Sequence, residues 1–444
     1  MRQKWLRHLC ILAVLTMLAA ACGGDDAGDP GAEEEVTEDT EATEEDTEAT
    51  EDDEETVEAT GPGDGTLFLG SLLPETGNLA FLGPPEFAGV ELAVNDINEA
   101  GGVLGNDVEL SQGDSGDTST DIANQTVDRL LAEGADAIIG AASSGVSFTV
   151  IDKITQAGVI MFSPANTAPN FTTYDDNGLY FRVAPSDVMQ GQVLAEVIVE
   201  EGNARVGLMA LQDPYGEGLL NFTVENLEAS GVEISNEIIY DPQAQNFDAE
   251  IQQLVSEDPD AIVVIGFDES ARLISGLIEQ GLGPADKNVY GVDGNMGNAL
   301  GEQFDDEGAL EGMRGTTPLT DLSADFQERL LELDPDLADF NYAGESYDAA
   351  VIIALAATIA DSDDPADFAA EIPGVTRDGT ECSSFAECLE LVEAGEDIDY
   401  QGIVGPIELS DVGDPTVASF AILEFQADNT LGDDPEFRVV TLEE

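Results

Sequence analysis

Two serines and one acid hold positions at which binding chemistry is common. Ser143 and Ser144 stand where an apolar run gives way to a helical pattern, so their hydroxyls and the free N–H groups of a first helical turn could bind an anion. Asp293 follows another apolar run and could pair with a cation. Helix capping also favours serine, and most acids in a chain this acidic are solvated, so residue type alone does not decide between binding and structure.

The chain offers little else for catalysis. Its one histidine, His8, and its one tryptophan, Trp5, lie at the N-terminus, where processing would remove them. A chain without histidine cannot form a Ser-His or Cys-His couple or a His-ligated catalytic metal site. The acidic stretches 114–121 and 361–367 lack the glycine and terminal glutamate spacing of a calcium loop. We therefore predict no catalytic residue, no metal and no cofactor.

The N-terminal segment predicts export. Arg2, Lys4 and Arg7 precede an apolar run over 9–21 that is too short to span a membrane, which indicates a signal peptide over residues 1–21. The small residues directly before Cys22 resemble a bacterial lipobox, so Cys22 is the predicted lipidation site. The alternative is cleavage after Ala21 without lipidation, which leaves a free thiol. With Cys22 lipidated, the protein would be extracytoplasmic and anchored to the cell membrane.

Two cysteines remain in the mature chain besides Cys22. Cys10 leaves with the signal peptide and Cys22 takes the lipid, so Cys382 and Cys388 are left as a pair close together. In an oxidising compartment such a pair predicts a local disulfide. A metal site, the alternative, would need more ligands than this segment offers.

Charge excludes one class of partner. The chain has 94 acidic residues against 13 lysines and arginines, a net charge of -81, so nucleic acid is not an expected partner. Acids are spread over the whole chain, which favours adaptation to a saline environment over a ligand site. Residues 22–65 are almost entirely acidic or small and predict a disordered, extended tether.

Beyond Thr66, short apolar runs alternate with helical periodicities. Strands are predicted at 66–73, 137–140, 159–162, 205–211, 261–266, 288–291 and 313–317. Phe87, Val90, Val94 and Ile97 share one face of a helix that ends at a glycine pair. The alternation predicts an α/β architecture of parallel sheets covered by helices, with a site in the loops after the strands.

Six segments in order carry a family resemblance. They are 89–105 (GVELAVNDINEAGGVLG), 143–145 (SSG), 163–167 (SPANT), 181–187 (FRVAPSD), 213–218 (DPYGEG) and 347–349 (YDA). Together they resemble the leucine/isoleucine/valine-binding branch of the type I periplasmic binding proteins, over residues 66 to about 430. The resemblance implies two Rossmann-like lobes joined by three hinge crossovers. Lobe 1 would comprise 66–184 plus 318–398, and lobe 2 would comprise 185–317 plus 399–444.

The resemblance also implies a site between the lobes. A free amino acid needs donors for its carboxylate and an acceptor for its ammonium group. The implied ligand-binding residues are Ser143, Ser144, Ala165, Thr167, Tyr215, Phe267, Asp293 and Leu82. The serines, the main chain of Ala165 and Thr167 would hold the carboxylate, Asp293 would pair with the ammonium group, and Tyr215 would close from lobe 2.

Two departures from the family leave the ligand open. The first loop has Phe81-Leu82-Gly83 where amino-acid binders commonly present an aromatic, and position 293 has a shorter acid than the usual glutamate. The ligand is therefore expected to be an amino acid or an amide-like molecule. The expected role is the substrate-binding lipoprotein of an ABC importer, a monomer that delivers ligand to permease subunits. The alternatives are a receptor component of the same fold and a hydrolase that uses only carboxylates.

Overall fold

The computed structural model describes residues 62–442. The predicted signal peptide, Cys22 and nearly all of the predicted tether lie outside these residues.

The first sheet is entirely parallel and has the strand order β2-β1-β3-β4-β5. Its strands are β1 (Phe68–Leu73), β2 (Glu109–Asp114), β3 (Ala137–Gly140), β4 (Ile160–Ser163) and β5 (Tyr180–Arg182). The strands β1, β3 and β4 lie within one or two residues of the predicted runs and are almost wholly buried. Continuous apolar runs of this kind are expected in parallel sheets that are covered on both faces.

The second sheet has seven strands in the order β14-β13-β10-β9-β8-β6-β7. Its strands are β6 (Arg205–Leu211), β7 (Glu233–Tyr240), β8 (Ala261–Ile265), β9 (Asn288–Val292), β10 (Arg314–Pro318), β13 (Val417–Glu424) and β14 (Glu436–Thr441). The strands from β6 to β10 are parallel, as predicted, although no strand was predicted at β7. The last two run antiparallel, β13 to β10 and β14 to β13, which the sequence analysis did not predict.

Helices connect the strands and cover both sheets. The helices are α1 (Gly83–Glu99), α2 (Ile122–Glu133), α3 (Ser144–Gln156), α4 (Asp187–Glu200), α5 (Pro214–Ala229), α6 (Asp248–Glu257), α7 (Ser270–Glu279), α8 (Asn298–Gly301), α9 (Ala324–Leu333), α10 (Ala343–Ala360), α11 (Pro365–Phe368) and α12 (Phe385–Glu393). In α1, Val90, Val94 and Ile97 are buried on the predicted face. Within the described part of the chain, α10 alone is long and apolar enough to span a membrane, but 83% of it is buried in the protein core.

The chain crosses between the two lobes three times. The first crossover, 183–186, joins β5 to α4, and the second, 319–323, joins β10 to α9. The third lies later than the predicted boundary at 398/399. Strand β12 (Ile398–Tyr400) pairs with β11 (Thr380–Cys382), and Tyr400, Ile407 and Leu409 are buried in the core of lobe 1. Because these apolar side chains complete that core, the chain returns to lobe 2 only over 410–416.

The segment before that return carries the disulfide. Cys382 in β11 and Cys388 in α12 are bonded to each other, and both are buried against lobe 1. The bond closes a short loop between a strand of three residues and a helix of nine, two elements that are too small to be stable alone.

Candidate functional site

All eight predicted ligand-binding residues line one small cavity between the lobes. Leu82, Ser143, Ser144, Ala165 and Thr167 come from lobe 1, and Tyr215, Phe267 and Asp293 come from lobe 2. Four further residues complete the lining: Leu79, Ala142, Gly294 and Tyr342. The cavity has a volume of about 20 Å³, which is room for one water molecule. The lobes must therefore open to admit any larger ligand.

Strand ends position these side chains. Asp293 is the first residue after β9, Phe267 lies two residues after β8, and Tyr215 is in the first turn of α5, which follows β6. Ser143 follows β3, and Ala165 follows β4 in the same way. Because the carboxyl ends of parallel strands meet at one edge of a sheet, these residues converge in a crevice between the two sheets.

Asp293 is the one acid among the described residues that line the cavity. Its Oδ1 accepts hydrogen bonds from the hydroxyl of Tyr215 at 2.7 Å and from Nε2 of Gln190 at 2.9 Å. Its Oδ2 accepts one from the hydroxyl of Tyr342 at 2.9 Å. Burial raises the pKa of Asp293, and these hydrogen bonds oppose the rise. A carboxylate offers about four acceptor positions, so a ligand can still bind Oδ2.

Tyr342 is a site residue that the sequence analysis missed. It precedes α10 with φ 60°, a left-handed conformation that is unusual for any residue other than glycine. Its fully buried hydroxyl reaches Asp293 from the opposite lobe, so this hydrogen bond exists only while the lobes are closed. A buried tyrosine hydroxyl needs a hydrogen-bonding partner, which makes a tyrosine a candidate site residue once its burial is known. Nothing in the local pattern distinguished Tyr342 from a core residue.

On the lobe 1 side, structural and binding roles coincide. Ser143 is the N-cap of α3, and its Oγ accepts from the N–H of Val146 at 3.3 Å. The Oγ of Ser144 accepts from the N–H of Ala168 at 3.3 Å. Each of these two hydrogen bonds uses a lone pair of a serine hydroxyl and leaves its proton to donate toward a ligand anion. The helix-cap interpretation is therefore correct for Ser143 and remains compatible with binding.

The main chain of Ala165 does not offer the free N–H donor that was expected for a ligand carboxylate. Its N–H already donates to Oγ of Ser163 at 3.2 Å. The main-chain contact expected between Ala165 and a ligand carboxylate would therefore need another donor. The carbonyl oxygen of Ala165 is left as an acceptor that suits an ammonium group.

Direct contacts between the lobes show that the cleft is closed. The N–H of Asp268 donates to the carbonyl of Asn78 at 3.3 Å, and Asn298 donates to both carboxylate oxygens of Asp339. The contact between Gly145 of lobe 1 and Asp213 of lobe 2 is tighter still. A Cβ atom on Gly145 would lie 2.1 Å from Oδ2 of Asp213. Burial raises the pKa of Asp213 to about 6.

We expect Gly145→Ala to disfavour the closed state. The added methyl group would overlap Oδ2 of Asp213 and lie 3.0 Å from Cγ2 of Thr118, so the lobes cannot close without a shift. Ligand affinity should fall by about the same factor as the population of closed molecules. Calorimetry would measure the affinity, and small-angle scattering would measure the open fraction. Gly374→Ala is the matched control, since nothing lies within 4 Å of its added Cβ. Equal affinity in both variants would contradict this role of Gly145.

Comparison with known proteins decides the family. Residues 66–411 match the model of the periplasmic binding protein family. The chain belongs to this family. Members of this family are binding proteins located outside the cytoplasm, and this chain has the type I fold with two α/β lobes.

Named relatives agree with this assignment. The Leu/Ile/Val-binding protein BraC3 of Rhizobium johnstonii is 28% identical over 210 residues, which cover 47% of this chain and 56% of the relative. A chemotactic signal transduction system substrate-binding protein, BasB of Halobacterium salinarum, is 24% identical over 367 residues, 78% of this chain and 84% of the relative. The chain thus spans only about half the length of the first of these relatives.

Solved structures share the fold. The leucine-binding protein LivK of Thermotoga maritima superimposes with a TM-score of 0.70 at 23% identity, over 85% of this chain and 99% of the other. A solute-binding protein of R. palustris in complex with 4-hydroxybenzoate gives 0.69 at 16% identity, over 84% and 97%. Since identity is this low, these structures support the fold and leave the ligand open.

Proposed function

We propose that this protein is the substrate-binding component of an ABC importer and captures an amino acid between its closing lobes. The observation that carries the proposal is a cavity with a buried carboxylate, Asp293, on one lobe and the donor hydroxyls of Ser143 and Ser144 on the other. This arrangement matches the two opposite charges of a zwitterion. An amide-like ligand would use the same donors and acceptors. Relatives named for leucine, isoleucine and valine binding support the choice.

Binding and closure would be coupled. In the open state the water-exposed carboxylate of Asp293 loses the hydrogen bond from Tyr342, because the two residues belong to different lobes. A ligand that contacts both lobes stabilises the closed state by its differential affinity for the two states. The stacked pair Tyr215 and Phe267, with ring centroids 5.4 Å apart, would exclude water from one side of the ligand.

A thermal-shift screen of amino acids, amides and small organic acids tests the proposal. A ligand that binds only the native state raises its stability by RT ln(1 + [L]/Kd), about 2.7 kcal/mol at 100-fold excess over Kd. At least one amino acid should raise the melting temperature. Mass spectrometry of each hit after incubation should recover the compound unchanged, since a hydrolase would convert it. A screen in which no amino acid or amide binds would sink the proposal.

A receptor component remains the second candidate. The similarity to a substrate-binding protein of a chemotactic signal transduction system, which covers 84% of that relative, favours it. Deleting the gene should abolish uptake of the labelled ligand if the protein serves an importer. Lost chemotaxis with normal uptake would favour the receptor role.

We further propose that the mature chain begins at a lipid-modified Cys22 and that a tether over 22–65 spaces the lobes from the membrane. We expect Cys22→Ser to release the protein from membranes, because no thiol remains to carry the lipid. Fractionation of cells followed by immunoblotting would measure the membrane-bound share. Retention equal to that of the native chain would mean that another segment anchors it.

A further inference from the structure

The cleft carries acids and no base. Among the described residues, no lysine or arginine lines the cavity at Asp293. Asp187, in the first turn of α4, is fully buried beside the side chain of Thr167. Burial raises the pKa of Asp187 well above its usual range, the charge of Asp293 adds to the rise, and a hydrogen bond with Thr167 opposes it.

The acids already present in the cleft disfavour a ligand that brings further negative charge. Arg182 is the buried guanidinium that interacts with Asp187, but its N–H groups are taken by Asp414 and by the carbonyls of Asn166 and Ala168. Oδ2 of Asp213 sits against Gly145, in the first turn of α3, where a ligand carboxylate would bind. A zwitterion brings no net charge to this cleft. A ligand with one extra positive charge would compensate the excess of acids.

A second cavity adjoins the first. The two share Phe267 and Gly294 as a common wall, and the second is larger, about 80 Å³ against about 20 Å³. The wall is thin because position 294 is a glycine, since a Cβ there would lie 2.8 Å from the ring of Phe267. Phe81 and Leu300 give the second cavity apolar walls, and the exposed Asp268 lies at its rim.

We propose that the ligand is a linear amino acid with a cationic side chain. Its α-ammonium group pairs with Asp293, its methylene stem passes Phe267, and its distal cation lies in the second cavity beside Asp268. This inference rests on the proposed function and specifies its substrate class.

The chemistry of the second cavity fits such a side chain. A lysine-like stem is apolar and packs against Phe81 and Phe267, while its charged head can stay in contact with water at the rim. Aromatic faces also attract a cation directly. The carboxylate of Asp268 accepts a hydrogen bond from Nε2 of Gln303 to its Oδ1 at 2.6 Å, so Oδ2 is available to the cation.

Calorimetry with lysine and norleucine tests the inference. The two amino acids have the same chain length and differ in the terminal ammonium group alone. Lysine should bind the full mature protein about tenfold more tightly than norleucine at one fixed ionic strength. Equal or tighter binding of norleucine, with leucine also bound, would overturn the inference and leave the proposed function standing. Failure of every amino acid to bind would overturn both.

Two variants test the second cavity itself. Asp268→Asn should lower the lysine-to-norleucine affinity ratio about threefold with norleucine affinity unchanged, whereas Asp286→Asn, at an exposed position outside both cavities, should leave the ratio as it is. Ala299→Phe should fill the cavity. It should weaken the binding of lysine more than the binding of alanine, whose methyl group is too short to reach this cavity. An unchanged lysine-to-norleucine ratio in Asp268→Asn, together with an unchanged lysine-to-alanine ratio in Ala299→Phe, would show that the side chain does not enter this cavity.

Discussion

Asp293→Ala is expected to weaken amino-acid binding by at least about 30-fold. Removing one partner of a desolvated charge pair costs about 2 to 5 kcal/mol because the other charge is left uncompensated, and about 1.4 kcal/mol changes affinity tenfold. Asp293 is 5% exposed and lines the cavity between the lobes, so a ligand ammonium group beside it would be desolvated. Calorimetry is the suitable measurement, because the only tryptophan of the chain is Trp5, within the predicted signal peptide.

Three further variants separate charge from structure. Asp293→Asn keeps the size of the side chain and one acceptor oxygen, for either Tyr215 or Tyr342, but removes the charge, so it should weaken binding nearly as much as alanine does. Tyr342→Phe keeps the charge and removes the hydrogen bond between the lobes, so its effect should be smaller. Asp286→Ala, at an exposed acid away from the cleft, should leave affinity unchanged. Native affinity for an amino acid in Asp293→Ala would mean that Asp293 does not bind the ammonium group.

A neutral amide analogue distinguishes the remaining explanations. If the native ligand lacks an ammonium group, the amide and the screened ligand should respond alike to Asp293→Asn. If the ligand carries one, only the charged ligand should lose affinity, because the amide gains nothing from a carboxylate charge beyond a hydrogen bond.

The site residues predicted most accurately from the sequence are those that follow the ends of strands. Ser143 and Asp293 each come directly after a continuous apolar run, and such runs are identifiable without knowledge of tertiary structure. Their meeting in one cavity follows from the parallel topology, in which carboxyl ends share an edge.

Residues that reach the cleft from elsewhere could not be predicted in this way. Tyr342 directly precedes α10 and has a left-handed conformation itself, and Gln190 lies in α4. Both side chains reach the carboxylate of Asp293. Their positions depend on how the lobes close and how helices pack, which are tertiary effects without a local pattern. The third crossover was placed too early for the same reason, since Ile407 and Leu409 complete a core that is built from distant segments.

The crossovers themselves contain a buried ion pair. The Nε of Arg182, at the end of β5, donates to Oδ1 of Asp414 in the third crossover at 2.7 Å. The backbone N–H of Arg182 also donates to the carbonyl of Gly413 at 3.1 Å. Because the first crossover begins at the next residue, this pair ties two of the three connections between the lobes together.

Arg182→Leu is therefore expected to destabilise the fold by about 3 to 5 kcal/mol, since it leaves Asp414 as an uncompensated buried charge. The side chain of Arg182 is fully buried and that of Asp414 is 10% exposed, so water cannot readily replace the lost partner. Unfolding gains about 2.1 cal/mol/K of entropy per residue, so over residues 62–442 each kcal/mol lowers the melting temperature by about 1.2 °C, and the expected loss is roughly 4 to 6 °C. Thermal unfolding followed by circular dichroism would measure it.

The double variant Arg182→Leu with Asp414→Leu identifies the cause. Replacing a whole buried ion pair by apolar residues is often neutral or stabilising, so the double variant should recover much of the stability that the single one loses. The carbonyls of Asn166 and Ala168 lose their donor in both variants, so any shortfall in the recovery measures those two hydrogen bonds. A double variant as unstable as the sum of the single ones would show that packing of the guanidinium, and not its charge pairing with Asp414, holds the crossovers together.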